Sequence, residues 1–98
     1  MENIIKDMDK IKEKAKLLKA ISHPIRLCVV KGLMDTEGYN VSKMQSCLEI
    51  PQSTLSQHLT KLKDLGIIEG ERNGVEINYY VKNEEIKKII NTVFEDEE

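Results

Sequence analysis

Residues 50–66 read IPQSTLSQHLTKLKDLG. Pro51 cannot continue a preceding helix, so a new one starts at once near Gln52. Leu55, Leu59, Leu62 and Leu65 recur at spacings of four, three and three, the stripe of a helix with one buried face. Gly66 stands where a helix ends on a left-handed residue. At about 100° per residue, turning the leucines inward puts Ser53, Gln57 and Thr60 on the far side, flanked by Ser56 and Lys61. His58 falls about 60° from the stripe and is expected to be half-buried.

Upstream, a short helix is expected from about Ser42 to Leu48, with Ser42 as its N-cap and Met44 and Leu48 facing inward. The break of three or four residues before Gln52 has the length of a helix-turn-helix corner. Further upstream, Ile4, Met8, Ile11, Ala15 and Leu18 form the apolar stripe of a first helix. Ser22-His23-Pro24 interrupts it, because the residue before a proline is pushed out of helical geometry. Pro24 suits the first turn of a second helix reaching about Met34, with Leu27, Val30, Leu33 and Met34 as its expected core. Residues 35–38 read as a loop.

Downstream, residues 67–73 and 75–81 flank Asn73-Gly74, a strong hairpin signal. Asn83 is placed to cap a last helix carrying Ile86, Ile89, Ile90 and Val93. Tyr79 and Tyr80 are expected to pack the hairpin. The order is helix, helix, short helix, tight turn, helix, hairpin, helix. It predicts a mainly α fold with a β-hairpin wing, a winged helix-turn-helix, over residues 1–98 as one domain.

The chain has 98 residues and a net charge of −2, from 15 basic and 17 acidic side chains. Residues 95–98 are all acidic and carry −4, so the rest of the chain carries +2 and is compatible with DNA. The acidic end reads as a solvated tail. No run approaches the ~18 apolar residues of a membrane span, and the N-terminus has no signal-peptide core. Two cysteines 19 positions apart make no disulfide framework, which points to the cytoplasm.

A helix face of Ser, Gln and Thr suits a major groove. Gln pairs bidentately with adenine, and Ser or Thr with several bases. Gln52, Ser53 and Thr54 lie at the helix start, the end that usually reaches deepest. Ser56, Gln57 and Thr60 continue the reading face. Lys61 and Lys63 are candidate phosphate contacts. Arg72 is the cation near the wing tip, where an arginine can enter the minor groove. Glu69, Glu71 and Glu76 surround it in sequence and could instead neutralise it. An ordinary polar helix face is the competing reading of the recognition residues.

Three pieces carry a family resemblance: Ser22-His23-Pro24-Ile25-Arg26, Gln52-Ser53-Thr54-Leu55-Ser56-Gln57-His58-Leu59, and Gly74 with Tyr79 and Val81. The chain resembles the ArsR/SmtB family of small bacterial winged-helix repressors over about residues 15–90. Its Pro-Gln-Ser-Thr corner and Gly-Val-Glu-Ile wing look nearest to PagR-like members. The resemblance implies a homodimer paired through the first and last helices, about residues 1–20 and 83–94. It also implies an inverted-repeat operator on double-stranded DNA.

Many members of that family sense metals. The matching stretch here, residues 41–47, holds one cysteine, and residues 83–98 hold no histidine, so neither familiar metal site is present. No cofactor is expected. Cys28 and Cys47 are read either as inert, half-buried thiols or as a redox pair, with an unfamiliar metal site as a third reading. His23 and His58 match helix motifs and read as structural, although a titrating histidine could matter. No phosphate-cradling loop or catalytic constellation is visible, so an enzyme is not expected. The alternative to a DNA-binding repressor is a winged helix used for protein contact.

Overall fold

A computed structural model of the chain describes residues 7–35, 39–40 and 48–95. Four helices and three strands follow in the order α1 (Met8–Ile21), α2 (Pro24–Asp35), β1 (Tyr39–Asn40), α3 (Gln52–Asp64), β2 (Ile68–Asn73), β3 (Glu76–Val81) and α4 (Glu84–Val93).

The apolar stripe expected to bury α1 faces outward. Met8, Ile11 and Leu18 are 40%, 44% and 47% exposed. Ala15 is exposed as well. The helix meets the body through Leu17, Ala20 and Ile21 instead, the i, i+3, i+4 face of its last turns. Its C-terminal end supplies the buried residues, and the expected apolar line lies outside the described core. In α2, Val29, Val30 and Leu33 are buried, while Leu27 and Met34 are half-buried at the edge of the core. Val29 therefore takes an inner place that spacing assigned to Leu27. The helix continues to Asp35, the first residue expected in a loop.

Of the expected short helix, Leu48 is helical and half-buried against the core. Ser42, Met44 and Cys47 lie outside the described residues.

α3 begins directly after Pro51, whose extended backbone (ψ 145°) turns the chain into the helix. Leu55, Leu59 and Leu62 are buried, and Leu65 is half-buried. The helix ends in a Schellman arrangement. Gly66 adopts φ +73°, its N–H donates to the Lys63 carbonyl at 3.0 Å, and the Ile67 N–H donates to the Leu62 carbonyl at 3.0 Å. Leu62 and Ile67, paired by this motif, are both fully buried.

β2 and β3 pair antiparallel from Ile68↔Val81 to Asn73↔Glu76. The turn is thus Gly74-Val75, one residue later than the expected Asn73-Gly74. Gly74 alone takes positive φ here, +69°, the first central position that a type II′ turn requires; a type I′ turn needs positive φ at both. A third strand, unforeseen, joins the edge: β1 pairs with β3 through Tyr39↔Tyr79 and Asn40↔Asn78. Two residues are too short to show a period of two.

Asn83 caps α4 as expected, its Oδ1 accepting from the Ile86 N–H at 2.9 Å. Glu84 and Glu85 sit in the first turn, where the helix dipole favours them. Ile86 and Ile90 enter the core, Ile89 is half-buried, and Val93 is 61% exposed. A Lys14–Glu85 ion pair ties α1 to the start of α4. The core is a single apolar cluster drawing on every helix and on β2 and β3.

Candidate nucleic-acid interface

The leucine stripe holds α3 against the body and leaves its other side in solvent. Gln52, Ser53, Ser56, Gln57, Thr60, Lys61 and Lys63 are all exposed, while Thr54 is half-buried. One continuous surface thus carries hydrogen-bonding side chains over three turns, with two lysines toward its C-terminal end. Among the described residues, no carboxylate pairs with Lys61, Lys63 or Arg72.

The register of the wing explains why its acids leave Arg72 alone. Successive side chains of a strand point to opposite faces. Glu69, Glu71 and Asn73 therefore share a face with their partners Tyr80, Asn78 and Glu76. Ile68, Arg72, Ile77, Tyr79 and Val81 share the other. Ile68, Tyr79 and Val81 on that second face pack in or against the core. Arg72 thus projects from the body side of the wing, and the three glutamates lie on the back. Sequence proximity put them together; the pleat separates them.

The tyrosines divide in the same way. Tyr79, expected to pack the hairpin, packs against the core. Tyr80 donates its hydroxyl hydrogen bond to Glu69. That bond, then burial and the charges of Glu69 and Glu71, raise the Tyr80 pKa above its ordinary value. Val75 at the turn is 97% exposed, an apolar tip that sequence reading did not single out.

Behind the reading face, His58 is half-buried, as expected. Arg26 Nε donates to His58 Nδ1 at 3.0 Å, and the rings of His23 and His58 lie 4.7 Å apart, inclined at 51°. Burial first, then the neighbouring His23 and Arg26, lowers the His58 pKa from the usual histidine value. Sequence motifs pointed to each of these residues separately; their contact comes from the packing of α2 on α3. Cys28 is exposed rather than half-buried. Among the described residues, no three of His, Cys, Asp and Glu stand close enough to hold a metal. No described helix is long and apolar enough to cross a membrane.

Comparison with known proteins gives the family. A family model described as a helix-turn-helix domain matches residues 21–71. Over 80 residues the chain is 38% identical to the transcriptional repressor PagR of Bacillus anthracis, covering 82% of this chain and 80% of PagR. It is 34% identical over 74 residues to the HTH-type transcriptional repressor SmtB of Mycobacterium tuberculosis, covering 76% of this chain and 54% of that protein. The crystal structure of PagR superposes with a TM-score of 0.79 at 35% identity, covering 88% of this chain and 98% of PagR. The chain belongs to the ArsR/SmtB family of winged-helix transcriptional repressors. Reduced HlyU from Vibrio cholerae superposes with a TM-score of 0.84 at 30% identity, covering 92% and 95% of the two chains. In family terms, α3 is the recognition helix and the β2–β3 hairpin is the wing.

Proposed function

We propose that this member of the family is a cytoplasmic homodimer that represses transcription by binding an inverted-repeat operator, without a metal or other cofactor. The observation that carries the reading is the α3 surface: exposed Ser53, Gln57 and Thr60 beside cations that no described carboxylate occupies. Gln52, Ser53, Thr54, Ser56, Gln57 and Thr60 face the bases, Lys61 and Lys63 the phosphates, and Arg72 the minor groove. In a two-fold dimer the recognition helices enter successive major grooves about 34 Å apart. Pairing runs through residues 1–20 and 83–94. The exposed apolar line of α1 supports this assignment, as does the exposed Val93 of α4.

Fluorescence anisotropy on duplexes selected in vitro from genomic DNA tests the reading. Affinity for the selected duplex should fall steeply with salt, as released counterions require. Gln57→Ala should cost about 1–3 kcal/mol on that duplex and little on scrambled DNA. Lys61→Ala should weaken both alike, because a phosphate contact carries no sequence information. A Gln57→Ala effect equal on both duplexes removes its base-reading role. Failure to select any duplex turns the reading toward a winged helix used for protein contact.

A second reading adds a thiol switch to the same DNA-binding surface through Cys28 and Cys47. The exposure of Cys28, which lets oxidants reach it from solvent, favours it. In that case diamide releases the duplex, dithiothreitol restores binding, and Cys28→Ser binds alike in both states. Identical affinity before and after diamide leaves both thiols structural.

A further inference from the structure

The recognition helix is held to α2 by apolar packing, which has little directionality, and by one directional contact. Among the described residues, the side-chain hydrogen bond joining these two helices is Arg26 Nε to His58 Nδ1, 3.0 Å long. The donors facing the two rings show which nitrogen accepts in each. A guanidinium N–H can only donate, so His58 Nδ1 carries no proton. The Ile25 N–H likewise donates to His23 Nδ1 at 3.1 Å. Both rings therefore use Nδ1 as an acceptor.

We infer that the Arg26–His58 bond positions the recognition helix on α2, and that protonating His58 breaks it and weakens operator binding. The inference rests on the operator-binding reading above. A proton on Nδ1 would aim an N–H at the guanidinium N–H, donor against donor. It would also add a cation beside Arg26 and against the His23 ring. The groups acting on His58 are those two, both at the start of α2. On its own helix, Lys61 lies one turn further on. From β2, which packs against α3, Glu69 and Glu71 lie on the back of the wing and exert no resolved pull on it. No described carboxylate is thus placed to welcome the charge.

The direction of the pH effect follows. The folded state holds the His58 pKa below its unfolded value, so folding disfavours the protonated form. The stability this arrangement contributes is complete above about pH 6.5 and is lost as pH falls from there through the lower folded pKa. His58 is therefore a positioning residue: it acts on DNA through the placement of Ser53, Gln57 and Thr60.

The test is anisotropy on the in vitro-selected duplex between pH 8 and 5.5. Wild-type affinity should hold above about pH 6.5 and fall as pH drops through the lowered folded-state value, by up to about tenfold per pH unit for each of the dimer's two His58 rings. His58→Asn keeps an acceptor at the position of Nδ1 and cannot titrate, so its profile should be flat. Arg26→Gln removes the neighbouring cation and should move the wild-type midpoint upward, a shift readable even if His58→Asn folds poorly. Parallel wild-type and His58→Asn profiles overturn the inference, as does wild-type affinity constant to pH 5.5; in both cases the operator-binding reading stands. A protein that binds no duplex at pH 8 overturns that reading and this inference with it.

Discussion

Ile11→Glu combined with Leu18→Glu should convert the proposed dimer to a monomer and lower affinity for a two-half-site operator by about 10²–10⁴-fold. The two side chains are 44% and 47% exposed on one line of α1, beside Met8 at 40%. They contribute nothing to this chain's own core, which takes Leu17, Ala20 and Ile21 from the same helix. A carboxylate at each position therefore costs the monomer little. Buried in a two-fold interface, each would meet its own symmetry-related neighbourhood as an unpaired charge. The loss on DNA is large because a dimer that has engaged one half-site presents the second recognition helix at high effective concentration. Sedimentation velocity should show the change in mass, and circular dichroism should show helix content retained. Affinity for a single half-site should be unchanged. A double variant that sediments like the wild type would remove α1 from the dimer interface.

Leu62→Ala should destabilise the fold by about 2–5 kcal/mol. Leu62 is fully buried, and its carbonyl closes the Schellman motif with the Ile67 N–H. Ala keeps that backbone bond, so the loss isolates side-chain packing. A domain of this size has on the order of 5–15 kcal/mol in total, so the variant loses a large share of it. At about 4–8 °C per kcal/mol, Tm falls by about 8–40 °C. Leu65→Ala, at a half-buried position on the same stripe, should cost less. Urea titration of both variants checks the order. Equal midpoints would mean that the leucine stripe is not what anchors the recognition helix. The same substitution should also weaken DNA binding, since it removes the fully buried anchor at the C-terminal end of α3.

The order of helices and hairpin was legible in the sequence because each has a local cause. The leucine spacing, the Pro51 break, Gly66 at the end of α3 and the Asn83 cap act within a turn or two of themselves. The exposed reading face of α3 follows from the same spacing: if Leu55, Leu59 and Leu62 go in, Ser53, Gln57 and Thr60 must come out. Thr54 shows the limit of that reading, since it lies at the flank and is half-buried.

Other features depend on what lies across the fold. Which stripe of α1 is buried depends on where α2 meets it, and two apolar lines competed; the shorter one, Leu17, Ala20 and Ile21, lies against the body. The turn moved by one residue because pairing of Asn73 with Glu76 leaves Gly74 as the first central position. β1 has too few residues to leave a pattern. Sequence proximity left open an Arg72 that neutralises the acids around it, yet the strand pleat turns them to the opposite face. The contact of Arg26 with His58 joins residues 32 positions apart, and no local spacing encodes it.

Periodicity, caps and breakers act over a few residues, and so the sequence by itself determined the four described helices, the hairpin and the exposed polar face of α3. The burial of a stripe, the face of a strand and the meeting of distant side chains are properties of packed surfaces. Only the tertiary structure decided them, because each depends on a partner element whose position no local signal carries.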